Sequence, residues 1–186
     1  MPRRAGRIDL HVDDPRQLLD MLDPFPFRER GLDPELEDYV EERAGDVPPG
    51  AALELAIHLP PEAAASELAR ALPEIVAAHF ARRAERASRD LARLFADGRT
   101  ALAVGLVVLA LCLGLGQFLV SLFPSSRLAA VAMEGLVILG WVANWHPMEI
   151  FLFEWWPLVK QRRLFRRLAA ARVTLAPYPP GAVRAG

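Results

Sequence analysis

Two polar side chains stand out because they lie inside apolar segments. Glu134 is the only acid in its segment, and Gln117 belongs to the apolar segment before it, 9 and 8 residues from Ser125 in the turn between them. A carboxylate in a hydrocarbon environment is costly, so such acids pair with a partner or face a cavity. We therefore expect a protonated Glu134 to hydrogen-bond to Gln117, within one chain or between two. Proton or ion handling by Glu134 is one alternative, and a shallow, water-exposed acid about two turns from the outer surface is the other.

A second group of ligand-type side chains follows the second apolar segment. His146 and Glu149 are spaced i, i+3, which places an imidazole and a carboxylate on one side of a helix, as a metal site requires. Glu154 lies nearby. The same residues also read as a helix start, because Pro147 suits the first position and an acid is favoured in the first turn. Metal binding and a helix start both remain open.

No other pattern indicates catalysis. The chain contains no glycine-rich phosphate loop and no Ser-His-Asp spacing typical of a hydrolase, so we predict no catalytic residue and no cofactor. Cys112 is the only cysteine and cannot form a disulfide within the chain. The N-terminal residues carry charges without a following apolar core, so we expect no signal peptide there.

The elements that carry these side chains are two apolar segments. Residues 100–123 are 24 residues without a charge, and residues 128–145 contain Glu134 as their only acid. About 20 helical residues cross the hydrocarbon core of a bilayer. The turn between the segments is too short to cross back, so residues 100–146 predict an antiparallel hairpin of two transmembrane helices.

The basic residues predict the orientation of this hairpin. Arginines precede the first span and basic residues follow the second, whereas the turn has only Arg127. Basic residues concentrate on the cytoplasmic side, so both termini are expected there, with contacts to anionic lipid headgroups rather than nucleic acid. Tryptophans at the expected cytoplasmic end of the second span predict an aromatic belt. The basic residues are Arg82, Arg86, Arg89, Arg93, Lys160, Arg162, Arg163, Arg166 and Arg167, and the tryptophans are Trp141, Trp145, Trp155 and Trp156.

Residues 1–60 predict a small cytoplasmic α+β module. Alternating apolar and polar residues indicate strands at 7–12 and 52–59, in which His11 and His58 lie on the polar faces. Aspartate-proline pairs indicate helices at 15–22 and 34–43. A sheet of two strands is rarely stable alone, so we expect it either to be covered by the following long helix or to pair with a second copy.

The remaining segments complete a fold of strand, helix, helix, strand and long helix joined to the hairpin. Residues 61–99 predict a long helix or stalk that is kinked at Pro73 and passes through Gly98 into the first span. Its apolar stripe has heptad spacing, which fits a coiled coil or packing on the strands. Residues 147–172 predict an interfacial amphipathic basic helix, and residues 173–186 a disordered tail. The stripe consists of Phe80, Ala84, Ala87, Leu91 and Leu94.

The charges of the two ends are opposite. Residues 1–60 contain 14 acids and 7 bases, a net charge of −7, while residues 157–186 contain 7 bases and no acid, a net charge of +7. This pattern predicts that the acidic module docks on a basic C-terminal segment. Only one of the 22 basic residues is lysine, which together with the many alanines suggests a bacterial GC-rich genome.

Two stretches carry a resemblance to known sequences. They are Ile8-Asp9-Leu10-His11-Val12 with the later Leu22-Asp23-Pro24-Phe25-Pro26-Phe27, and Trp145-His146-Pro147-Met148-Glu149 with Trp155-Trp156-Pro157. In these the chain resembles a group of bacterial membrane proteins with two predicted spans and no assigned activity. The resemblance implies the hairpin architecture but no site.

The sequence as a whole predicts a non-enzymatic, multi-pass protein of a bacterial inner membrane. Its cytoplasmic module would serve interaction or assembly, with self-association and a protein partner both expected. The alternatives are a subunit of a small oligomeric channel or transporter that uses Glu134, and a metal-dependent membrane enzyme that uses His146 and Glu149.

Overall fold

Three parallel strands form the sheet of this protein, in a computed structural model that describes residues 6–20 and 31–177. They are β1 (Gly6–His11), β2 (Leu53–Leu59) and β3 (Arg172–Pro177), with β2 in the centre. Ile8 pairs with Leu55, and Leu55 pairs with Val173. The two strands predicted from alternation are therefore confirmed, and a third joins them from the C-terminal end.

Strand β3 corrects the expectation of a disordered tail for residues 173–177. Its backbone pairs with β2, and its four central residues are half-buried. The sequence did not reveal this strand because its partner lies more than a hundred residues away and its own alternation is short. Residues 178–186 lie outside the described residues. A third strand also removes the argument that a two-stranded sheet needs a second copy.

The helix predicted at 34–43 forms, whereas the one predicted at 15–22 is only a short 3₁₀ turn, and residues 21–22 lie outside the described residues. After a 3₁₀ turn at Pro15–Leu18, α1 spans Pro34–Asp46, and Asp33 accepts hydrogen bonds from the backbone N–H groups of Glu35 and Leu36. The first segment ends early because Leu19 forms a β-bridge with Leu32 instead of continuing a helix. A short helix, α2 (Pro61–Ala64), follows β2.

The helices of the sheet unit cover one face of the sheet. Parallel strands in the order 1-2-3 joined by right-handed crossovers place all connecting helices on the same side. Ile8, Leu55 and Ile57 on this side are buried, and Ile8 and Leu55 lie beside Val76 and Phe80 of the helix that follows. The core of this unit therefore lies between the sheet and its helices.

That helix, α3, spans Glu67–Leu122, so the predicted long helix and first span are one element that continues through Gly98. Pro73 lies in its second turn. Helix α4 (Arg127–Ala143) begins after a turn in which the Ser126 side chain accepts from the backbone N–H of Ala129. Helix α3 and the continuous helical run Arg127–Ala169, which begins with α4, are each long and apolar enough to cross a membrane.

The segment after α4 consists of α5 (Trp145–Glu149), a π-helical turn (Ile150–Glu154) and α6 (Trp155–Ala169). The predicted single interfacial helix over 147–172 is thus divided. Phe165 and Leu168 are 2% exposed, and Phe165 stacks on Phe80 with the ring centres 6.3 Å apart. The apolar side of this end of α6 packs on protein rather than lipid, a distinction that an amphipathic pattern alone does not make.

The chain divides into two compact units, a sheet unit of Met1–Arg86 with Gln161–Gly186 and a hairpin unit of Ala87–Lys160. Each contains part of the heptad stripe of α3. In the sheet unit Phe80 and Ala84 are buried, and in the hairpin unit Ala87 and Leu91 are buried. The stripe is therefore covered within a single chain, which favours packing over a coiled coil with another copy.

Small residues line the contact between α3 and α4 in the hairpin unit. A Cβ added to Gly105 would lie 3.0 Å from the Ala143 carbonyl oxygen, and one added to Gly116 would lie 3.1 Å from Met133 Cγ. A Cβ on Gly140 would lie 3.1 Å from Leu109 Cα. These pairings run in opposite directions along the two helices, so the hairpin is antiparallel and closely packed, as small residues allow.

Candidate functional site

The contact between α3 and α4 that the small residues line is called the seam below. Gln117 and Glu134 lie beside the seam rather than in it. Each follows a seam residue, Gly116 or Met133, and both side chains are exposed. Helices turn by about 100° per residue, so in an antiparallel pair both side chains lie on the same lateral face of the hairpin. In the part of the chain that the structure describes, no hydrogen bond joins Gln117 to Glu134. The expected contact within one chain is therefore absent, and the contact between chains stays a prediction.

Asn144 makes the polar contact across the hairpin that sequence reasoning assigned to other residues. Its Nδ2 donates to the carbonyl oxygens of Gly105, at 3.0 Å, and Gly140, at 2.9 Å. Its Oδ1 is buried without a hydrogen-bond partner. An asparagine at the end of an apolar segment was the available signal, since a buried amide needs partners. Glycines at both contact points let the side chain reach the backbone.

The structure brings His146, Glu149 and Glu154 together. One potential ligand atom from each side chain lies within 4.8 Å of the others, and all three side chains reach the surface. His146 and Glu149 belong to α5, and Glu154 ends the π-helical turn. The predicted pair thus acquires a third ligand, a second carboxylate, and an imidazole with two carboxylates is a donor set that suits a divalent metal.

The basic and aromatic residues do not share one environment. Arg86 and Arg163 are exposed, whereas the Arg167 guanidinium donates to the carbonyl oxygens of Val47, at 3.3 Å, and Pro48, at 3.1 Å. Arg167 thus ties the basic segment to the acidic module through main-chain oxygens. Arg162, earlier in the same helix, is half-buried. The other basic residues are exposed or partly exposed: Arg82, Arg89, Arg93, Lys160 and Arg166.

The tryptophans all belong to the hairpin unit. Trp141, Trp145 and Trp156 are each more than half exposed. The indole N–H of Trp155 donates to the carbonyl oxygen of Phe151 at 2.9 Å. Large exposed aromatic rings of this kind are typical of a membrane interface, where one end of the ring is apolar and the other is wet.

A buried charged cluster in the sheet unit was missed by the sequence reasoning. Glu37 and Glu41 on α1 face His79 and Arg83 on α3, and Arg83 forms an ion pair with Glu37 and lies 3.6 Å from Glu41. His79 Nε2 lies 3.1 Å from Glu37, and its Nδ1 accepts from the backbone N–H of Leu32. The signal was two i, i+4 pairs of ionisable residues on predicted helices.

Burial governs the titration of this cluster. Desolvation lowers the pKa of His79 from its ordinary 6.5, although the Glu37 carboxylate acts in the opposite direction. Desolvation also raises the pKa of Glu41 from 4.5, and its hydrogen bond with Glu37 raises it further. Neutral His79 therefore carries its proton on Nε2, facing Glu37, because Nδ1 accepts a hydrogen bond.

Acidification is expected to destabilise the sheet unit through His79. Because its folded pKa is lowered, its contribution to the unfolding free energy is present above 6.5 and is lost as the pH falls through the folded value. His79→Gln should flatten this loss between about pH 7.5 and about pH 5 in thermal unfolding followed by circular dichroism. Glu41→Gln should steepen the loss, because a raised carboxyl pKa stabilises the folded state at low pH. Equal slopes in all three chains would contradict the assignment.

The face of the sheet opposite the helices is polar. Arg7, Asp9 and His11 on β1 lie beside Glu54 and His58 on β2. The rings of His11 and His58, which the alternation placed on the polar faces of their strands, stack with centres 4.3 Å apart. His58 Nε2 lies 2.8 Å from Asp9, and this hydrogen bond lowers the pKa of Asp9.

Parallel sheets are usually covered on both faces. The described helices cover one face of this sheet, and the polar face has charged rows such as Arg7, Glu54 and Arg172 across the three strands. A groove beside it is lined by Tyr39 and Arg43 of α1. Such a face has the charges and hydrogen-bonding groups to receive a polar partner.

The chain was also compared with known proteins. No family model, no curated protein and no solved structure matches it.

Proposed function

We propose that this chain is an integral membrane protein in which the α3–α4 hairpin spans the bilayer and holds an α+β interaction module at the cytoplasmic surface. The module has no proposed catalytic role. Its partners would be a second copy of the chain, a further protein, and the anionic lipids of the same leaflet.

The observation that carries this proposal is the exposure of the two apolar helices. In their most apolar 18-residue windows only 17% and 11% of the residues are buried. A core helix of a soluble protein would be mostly buried. Each exposed leucine-sized side chain costs about 1.5–3 kcal/mol in water relative to an apolar environment, which lipid supplies. Such side chains include Val104, Val107, Leu111, Leu115, Phe118, Leu128, Val131, Ile138, Leu139 and Val142.

The proposed orientation follows from the arginines. Arg89, Arg93 and Arg99 precede the apolar part of α3, and Lys160 with the arginines of α6 follows α4. The turn between the two helices contains one basic residue, Arg127. A bacterial inner membrane with both termini in the cytoplasm satisfies this distribution.

Self-association is proposed to use the lateral face with Gln117 and Glu134. A carboxyl group on a lipid-facing surface lacks a hydrogen-bond partner, and a second copy supplies one at the same level. The exposed Glu134 also favours the second candidate function, a subunit of a small oligomeric channel, because the same contact would place several acids around one axis.

The proposal is tested by single cysteines in a Cys112→Ala background. We expect the chain to remain in the membrane pellet after alkaline carbonate extraction. A membrane-impermeant maleimide should label Ser125→Cys in intact cells, and Ser66→Cys only after permeabilisation. Release into the supernatant, or equal labelling of the two variants in intact cells, would reject the hairpin.

The same panel tests the lateral face. Leu113→Cys follows Cys112 of the seam and lies on the Gln117 side, whereas Leu115→Cys precedes Gly116 and lies on the opposite side. Oxidative cross-linking in membranes should give a dimer with the Leu113→Cys chain alone. Cross-linking through Leu115→Cys alone would place the contact on the other face.

A further inference from the structure

We propose that His146, Glu149 and Glu154 bind one divalent transition-metal ion of the Zn²⁺ class. The three ligand atoms already lie within 4.8 Å of one another. All three residues belong to the hairpin unit, so the site is complete within it. The inference is independent of the proposed membrane insertion, because it depends only on the local geometry after α4.

The π-helical turn creates this arrangement. In a regular α-helix, eight residues turn by about 800°, which would leave Glu154 about 80° away from His146 around the axis. The wider turn at Ile150–Glu154 advances by roughly 80° per residue, which returns Glu154 to the side of His146. Isolated π turns inside helices occur frequently at functional sites.

The charges of the three side chains fit a cation. Two carboxylates near one another repel, and a divalent ion offsets that repulsion. In the part of the chain that the structure describes, none of the three side chains has a hydrogen bond or an ion pair. Their lone pairs are therefore available, and no arginine or lysine competes for the carboxylates.

The donor set indicates the class of metal. An imidazole ligand favours Zn²⁺ and its transition-metal neighbours over Mg²⁺ and Ca²⁺, which prefer oxygen alone. Three protein ligands leave at least one coordination position for a water molecule or another oxygen ligand. The site is thus open on its solvent side, unlike a structural zinc site with four protein ligands.

Equilibrium dialysis of the purified, detergent-solubilised chain against Zn²⁺ tests the inference. We expect one ion per chain, with binding weakened about tenfold or more by His146→Ala and by Glu154→Gln. Asp97→Asn, an exposed acid of the same unit outside the site, should bind like the unmodified chain.

A positional variant separates geometry from charge. Exchanging two neighbours, by Phe153→Glu together with Glu154→Phe, keeps the composition but turns the carboxylate away from His146, so Zn²⁺ binding should weaken as in Glu154→Gln. Circular dichroism verifies that each variant keeps its helices. No binding at about 100 μM free Zn²⁺, or undiminished binding by the exchanged variant, would overturn the proposal.

Discussion

Replacing Gly140 by leucine is expected to separate the two hairpin helices. A Cβ at this position would lie 2.7 Å from Leu109 Cδ1 and 3.1 Å from Leu109 Cα. The side chain of Leu109 can rotate, but its backbone cannot move without displacing the helix. Overpacking in a close contact costs about 1–3 kcal/mol, and the lost hydrogen bond from Asn144 to Gly105 adds to this.

The measurement is unfolding of the detergent-solubilised chain in sodium dodecyl sulfate, followed by energy transfer between labels on the two helices. Gly135→Leu on the same helix is the matched control, because a Cβ there meets no atom within 4 Å. Gly140→Leu should unfold at a lower detergent fraction than Gly135→Leu. Equal midpoints would mean that the seam does not hold the helices together.

Ending the chain after Ala171 is expected to unfold the sheet unit, because it removes β3. Six residues of β3 pair with β2. Ladder hydrogen bonds contribute about 0.5–1.5 kcal/mol each, so their loss amounts to about 3 kcal/mol or more. Leu55 and Ile57, which are 4% and 0% exposed, would also lose cover at one edge. Domains have a total stability of about 5–15 kcal/mol, so the effect is large.

The control is a chain that ends after Pro177 and keeps the whole strand. Amide hydrogen exchange of β2 should be fast in the shorter chain and unchanged in the longer one. If the C-terminal residues had no structural role, the amides of β2 would exchange equally slowly in both chains. The comparison therefore distinguishes the strand from the disordered tail that composition suggested.

Local patterns predicted much of the architecture. The alternation of Ile8 and Leu10 identified β1, and Asp33 before Pro34 identified the start of α1, because these signals depend on residues within one turn or one pleat. The uncharged run in α3 predicted a helix of membrane-spanning length. The same patterns could not identify β3 or the cover of Phe165, since both depend on partners far along the chain.

The candidate sites show the same limit. His146 and Glu149 were identified by helical spacing, but Glu154 joined them only through a π turn, which shifts the phase of the helix and has no sequence signature here. Glu37 and His79 were overlooked because each is an ordinary ionisable residue until α1 packs on α3. Counting from Ser125 predicted that Gln117 and Glu134 lie at one level along the two helices. Their position on a lateral face follows only from the way α3 packs on α4.

By itself the sequence determined α1, α3 and α4, the first two strands, the apolar lengths and the charge asymmetry, because each arises from short-range periodicity or composition. Tertiary structure decided that β3 completes the sheet, that the described helices lie on one of its faces and that Asn144 bridges the hairpin. These contacts join segments that are far apart along the chain. Packing and hydrogen bonding, rather than any local preference, select which distant segments come together.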